Sequence, residues 1–132
     1  MSKNPVVHFE MPYKDGKRVA EFYKKVFGWK MDETPPEMGG YVLAGSIDVD
    51  KDNMPLQPGG INGGFYPLKD APASPEPSVV ISVPNLNKAM DDIKAAGGEV
   101  TREPNEIPGI GMWAVFKDSE GNRVSILEAK RG

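Results

Sequence analysis

Apolar residues recur along the chain with two different periods, and each change of period marks an element. Over residues 5–11, Val7, Phe9 and Met11 alternate with Val6, His8 and Glu10, the two-residue period of a strand. Asp15 follows as an N-cap. Val19, Phe22, Tyr23 and Val26 then fall at helical spacing until Gly28, which suits the position just past a helix end. Lys17, Arg18, Lys24 and Lys25 make the wet face. Residues 29–33 read as a short strand broken by Pro35-Pro36, residues 41–47 as a second, and residues 60–66 as a glycine-rich third. The order then recurs. An almost wholly apolar strand covers 78–83. Asn85 or Asn87 caps a helix with Leu86, Ala89, Met90 and Ile93 on one face and Gly97-Gly98 at its end. Strands follow at 99–102, 112–116 and 123–127, with turns at 108–111 and 117–122.

Each half therefore reads strand, helix, strand, strand, strand, and the two helix ends align at a spacing of 69 residues. A repeat of order predicts a pseudo-symmetric α+β domain. A unit of about 60 residues has too little core to stand alone, so the halves pack together or against a partner chain. The expected organisation is one domain over 1–132, with module 1 at 5–67, a proline-rich linker at 68–77 and module 2 at 78–128.

Composition narrows the functions. A net charge of −3 argues against a general nucleic-acid or anionic-membrane binder. The apolar runs are too short for a membrane span or a signal-peptide core, and Met-Ser-Lys-Asn-Pro at the start has no cleavable apolar segment, so the cytoplasm is the default location. The absence of cysteine excludes disulfides, zinc ribbons, iron–sulfur centres and thiol nucleophiles. The single histidine, His8, excludes any site needing two histidines from one chain. No serine lies in a nucleophile elbow.

His8 reads as a ligand, a general base or a structural strand histidine. Glu10, two residues on, points to the same face. It is either a pocket acid whose pKa burial raises, as a general base needs, or an exposed strand residue. Asp48, Asp50 and Asp52 open like a calcium loop, but Asn53 and Gly59 stand where that loop needs glycine and glutamate, so a solvated loop is the better reading. Gly59-Gly60 and Gly63-Gly64 precede no helix and make no dinucleotide fingerprint. Gly63-Gly64 is read as a pocket floor, kept small to leave room for a ligand.

The stretch Val7-His8-Phe9-Glu10-Met11-Pro12 with Phe22-Tyr23-Lys24-Lys25-Val26-Phe27-Gly28-Trp29 resembles the start of a vicinal oxygen chelate protein, the superfamily of glyoxalase I, bleomycin-resistance proteins and extradiol dioxygenases. Residues 116–128 resemble its aspartate-proline-x-glycine-asparagine turn and last strand, with Ser119 in place of proline. Residues 60–64 and 107–111 resemble a subgroup of small single-chain members. The resemblance implies two βαβββ modules forming a curved mixed sheet around a cup. In metal-dependent members four ligands line that cup. His8 matches the first; the other positions fall at Gly63 or Gly64, at or near Ser78, and at Ser125.

One imidazole with hydroxyls makes a weak metal site, so no cofactor is the expectation, with zinc, nickel, manganese or iron at His8 as the alternative. The resemblance therefore implies a binder of a small apolar or oxygen-rich molecule, with Tyr41, Asn62, Gly63, Gly64, Ser78, Trp113 and Ser125 as ligand-binding residues. The alternative is a metal-dependent lyase, isomerase or dioxygenase-like enzyme using His8 and Glu10. A homodimer is expected, because open four-stranded units leave edges that proteins cover.

Overall fold

The computed structural model describes residues 3–70 and 75–130. Residues 71–74 of the expected linker lie outside the described residues, as do Met1 and Ser2 of the N-terminal segment. The elements are β1 (Val6–Tyr13), α1 (Gly16–Phe27), β2 (Lys30–Glu33), β3 (Val42–Gly45), β4 (Asn62–Pro67), β5 (Ser78–Ser82), α2 (Leu86–Ala95), β6 (Glu99–Ile107), β7 (Gly111–Lys117) and β8 (Arg123–Ala129). The fold is α+β, with the order βαβββ twice, as the pattern predicts. Short 3-10 turns at Pro36–Met38 and Leu68–Asp70 were not foreseen. No helix among the described residues is long and apolar enough to cross a membrane.

Two compact units divide the chain: His8–Pro77, and Met1–Val7 with Ser78–Gly132. In the first, the strand order is β2-β3-β4-β1, with β1 parallel to β4 and the other pairs antiparallel. Asp15 caps α1 by accepting the Arg18 N–H at 3.0 Å, and Gly28, at φ 71°, ends it. Val19 and Tyr23 bring α1 onto a core of Val42, Ala44 and Phe65, joined by Phe9, Met11, Tyr13, Trp29 and Met31. The Tyr23 ring stacks on Trp29 at 4.7 Å and tilts against Phe65 at 5.1 Å. Phe22 and Val26, assigned to the same apolar face by their spacing, stay 53% and 56% exposed, because the helix meets the sheet along the Val19–Tyr23 ridge.

In the second unit the order is β5-β8-β7-β6, with β5 parallel to β8. Asn85, not Asn87, caps α2, accepting the Lys88 N–H at 2.9 Å. Leu86 and Met90 drive α2 onto Val83, Ala114 and Ile126. Glu128 faces α2 and accepts the Leu86 N–H at 2.7 Å, a second capping contact at the same helix end. The strand predicted at 99–102 runs on to Ile107. Pro104 disfavours a strand interior but is tolerated at the sheet edge that β6 forms, and the β6–β7 register shifts between Arg102 and Asn105. Between β7 and β8, Asp118 Oδ1 accepts the Glu120 and Asn122 N–H groups at 2.8 and 2.9 Å, and Oδ2 accepts Asn122 Nδ2 at 3.0 Å. These bonds, the Asn122 side chain first, hold the Asp118 carboxyl below its ordinary range.

Candidate functional site

In β1 the two-residue period turns Phe9, Met11 and Tyr13 toward α1 and places His8 and Glu10 on the opposite face. The register carries that division into β4: Asn62 pairs with His8, Gly63 with Phe9 and Gly64 with Glu10. Leu43 of β3 pairs with Gly64, so Tyr41, two residues earlier, belongs to the same face. His8, Glu10, Tyr41, Asn62 and Gly64 thus share one side of the sheet, and Gly63 shares the other.

Three of these side chains are bonded together. The Tyr41 hydroxyl donates to Glu10 Oε2 at 3.2 Å, and His8 Nε2 lies 2.9 Å from the same hydroxyl oxygen. The phenol has one proton. With it committed to Glu10, the oxygen accepts, and neutral His8 carries its proton on Nε2. Burial holds His8 below its ordinary pKa, which favours the neutral ring. Burial, reinforced by the charge and hydrogen bond of Glu10 and by Tyr66, pushes the Tyr41 phenol far above its ordinary pKa, so the hydroxyl stays a donor. The result is a directed chain from the imidazole N–H through the phenol O–H to a carboxylate.

Gly64 makes this geometry possible. Tyr41 enters beside β3 and must cross β4 to reach β1. A Cβ on Gly64 would collide with the Tyr41 hydroxyl and ring. On the other face, a Cβ on Gly63 would collide with the Phe9 carbonyl and ring. The room expected above this pair is therefore filled by the chain's own aromatic rings. Thr34 N–H donates to the Tyr41 carbonyl at 3.1 Å and fixes the approach of the tyrosine. The Asn62 amide oxygen accepts the Ile47 N–H at 3.0 Å, and so holds the segment after β3. A groove lined by Tyr13, Pro36, Gly40, Pro67, Lys14 and Lys69 lies in the same unit and includes none of the three bonded residues.

Ser78, Trp113 and Ser125 belong to the second unit and share the face of its sheet turned away from α2. The Arg102 guanidinium stacks over the Trp113 ring at 4.8 Å. Ser78 and Ser125 are 9% and 2% exposed, and neither buried hydroxyl has a hydrogen-bond partner. An unsatisfied buried polar group costs about 1–3 kcal/mol.

A divalent ion does not fit these donors. His8 Nε2 is bonded to Tyr41, Gly63 and Gly64 offer no side chain, and Ser78 and Ser125 offer hydroxyls. Among the described residues no three His, Cys, Asp or Glu side chains gather to hold an ion. The Asp48–Asp52 loop is a turn: Asp50 Oδ1 accepts the Asp52 and Met54 N–H groups at 2.8 and 3.1 Å. Spacing alone pairs His8 with Glu10, but the bridging role of Tyr41 escapes it. No spacing in the sequence signals it, because Gly64 comes to lie beside Glu10 only through the register of β1 with β4.

The model of the Glyoxalase/Bleomycin resistance protein/Dioxygenase superfamily matches residues 6–126. No curated protein matches the chain. Among solved structures, a hypothetical protein from Bacillus halodurans C-125 has a TM-score of 0.68 at 18% identity, over 99% of this chain and 98% of that one. Streptomyces coelicolor methylmalonyl-CoA epimerase in complex with 2-nitronate-propionyl-CoA has a TM-score of 0.69 at 15% identity, over 98% and 100%. A superfamily member from Vibrio splendidus 12B01 has 0.59 at 12%, over 96% and 99%. At these identities the likeness is one of fold.

The collision at Gly64 predicts coupling with Tyr41. Gly64→Ala should destabilise the protein by about 1–3 kcal/mol in urea denaturation. Combined with Tyr41→Ala it should cost at least about 0.5 kcal/mol less than the sum of the single changes. Additive costs would show that the two positions act separately. His8 makes a pH prediction. Its pKa is lowered on folding, so its contribution is fully present above its ordinary value of 6.5 and is lost as pH falls from there through the folded-state value. Between about pH 7.5 and about pH 5, wild type should lose more stability than His8→Gln, whose amide stays neutral. Parallel curves would contradict the assignment.

Proposed function

The chain belongs to the glyoxalase/bleomycin resistance protein/dioxygenase superfamily, and we propose that it serves there as a binder of a small apolar or oxygen-rich molecule, without a complete metal site. The donor set carries this reading. Of the four positions that hold ligands in metal-dependent members, only His8 has a strong donor, and its Nε2 is bonded to the Tyr41 hydroxyl at 2.9 Å. Affinity then comes from apolar and aromatic walls, with a few polar groups orienting the ligand. Within the first unit Glu10 and Tyr41, bonded to one another, and Asn62 are such groups.

Calorimetric titration with zinc, nickel and manganese should show weak binding or none, unchanged in His8→Ala, while a thermal-shift screen of apolar drugs should return stabilising compounds. A sub-micromolar, one-to-one metal site abolished by His8→Ala would overturn the proposal.

One observation favours a second reading, an enzyme that moves a proton. The chain from His8 through Tyr41 ends on the Glu10 carboxylate, an acceptor for a substrate proton. Methylmalonyl-CoA incubated with the protein in heavy water separates the two. The binder takes up no deuterium into the substrate; uptake that disappears in Glu10→Gln would establish the enzyme.

Pairing of two chains accompanies the binder reading. Light scattering at micromolar concentration should give twice the chain mass of 14.4 kDa. A clean monomer would contradict it.

A further inference from the structure

Two parallel strands of the first unit end at the same edge of the sheet. Tyr13, the last residue of β1, is the register partner of Pro67, the last residue of β4. Both chains then leave the sheet, β1 into α1 and β4 into the 3-10 turn Leu68–Asp70. A crevice opens where neighbouring parallel strands end and their continuations part, and in open α/β sheets such crevices hold ligands. Here it is the groove walled by Tyr13, Pro36, Pro67 and Leu68, with a volume of about 650 Å³. Small-molecule sites span about 300–1,000 Å³. Tyr13 and Pro67 belong to the α1 side of the sheet, the face opposite His8 and Glu10.

The walls offer little to a polar molecule. Proline has no N–H, the Tyr13 hydroxyl donates to the Gly40 carbonyl, and Leu68 is aliphatic. The rim is cationic. Each strand delivers a lysine to it, Lys14 just past β1 and Lys69 two residues past β4. Both are exposed, and among the described residues neither has an ion-pair partner. Arg18 adds a third cation in a smaller recess of about 290 Å³ that shares Tyr13 and Lys14 with the groove. Asp15, which borders that recess, is committed to the α1 cap. Glu37 is exposed beside Pro36 and does not line the groove. An apolar groove rimmed by lysines is complementary to an anion carried on an apolar body.

We propose that this groove is a ligand site in its own right, separate from the face of His8, Tyr41 and Glu10, and that it takes an aromatic carboxylate. The flat ring lies on Tyr13, Pro36 and Pro67, and the carboxylate meets Lys14 and Lys69. Tyrosine and proline rings present broad apolar faces that suit a flat ring. The lysines act as mobile point charges, which hold a carboxylate without demanding one orientation of it.

The probes are naphthoate and its neutral isostere, naphthamide. Each is titrated into the full chain at neutral pH and low salt and followed by backbone amide NMR. In wild type, naphthoate should bind at least about threefold more tightly than the amide, with shifts centred on residues 13–14, 39–40 and 68–69. Added salt should shrink this preference, because exposed charges are screened. In Lys14→Gln/Lys69→Gln, which changes exposed positions only, the two probes should bind alike, at the amide's wild-type affinity. Equal binding of the probes to wild type, or a preference that the double variant retains, would overturn the proposal. Shifts centred on His8, Glu10 and Asn62 would overturn it too, and would support the binder reading of that face. Binding of neither probe would overturn the groove as a site for aromatic carboxylates and leave the binder reading standing.

Discussion

Alternation in β1 is the constraint on which the first unit's chemistry depends. Odd-numbered residues Phe9, Met11 and Tyr13 go to the helix side and are held there by α1. Their burial fixes the strand's rotation, and a slip of one residue would send the histidine and glutamate into the aromatic core. His8 and Glu10 therefore take their direction from apolar neighbours in the strand that face the other way. The parallel pairing with β4 transmits the same rotation, so one glycine of the Gly63-Gly64 pair serves each face. Gly63 admits Phe9 and Gly64 admits Tyr41.

Tyr41 then decides the electrostatic character of that face. A carboxylate and an imidazole two residues apart on a strand could form an ion pair. Here a phenol stands between them, donating to one and accepting from the other. Desolvation works in the same direction, since it disfavours charge on both the imidazole and the phenol. The hydrogen bonds keep a fixed polarity, leading from the imidazole through the phenol to Glu10. A fixed donor order of this kind can orient a polar ligand group, and it withholds Nε2 of the imidazole from an ion.

Much of the fold was legible because its signals are local. Asp15 and Gly28 bound α1 by hydrogen bonds made within the helix itself, and the apolar periods around Phe9 and Ile126 name the buried faces. β6 runs past the expected 99–102 to Ile107 and through Pro104, which an edge strand tolerates, and edge position is a property of the sheet that the local sequence does not contain. The candidate site divided in the same way. His8 and Glu10 were legible as a same-face pair from spacing alone. The bond through Tyr41 depends on β3, β4 and β1 lying side by side over more than 30 residues of sequence separation. The unsatisfied hydroxyls of Ser78 and Ser125 are likewise a fact of burial, which sequence position does not report.

β6 has a bearing on how copies of the chain can meet. It carries exposed Glu99, Glu103 and Glu106, Pro104 lacks an amide proton, and the register with β7 is broken on either side of Arg102. A flat, regular edge offers a template for strand addition; this one is charged, missing a donor and locally irregular. Uncontrolled sheet extension, the first step toward fibrous aggregates, is thereby blocked at this edge. Pro104, in the part of β6 beyond the expected strand, serves as a guard against misassembly.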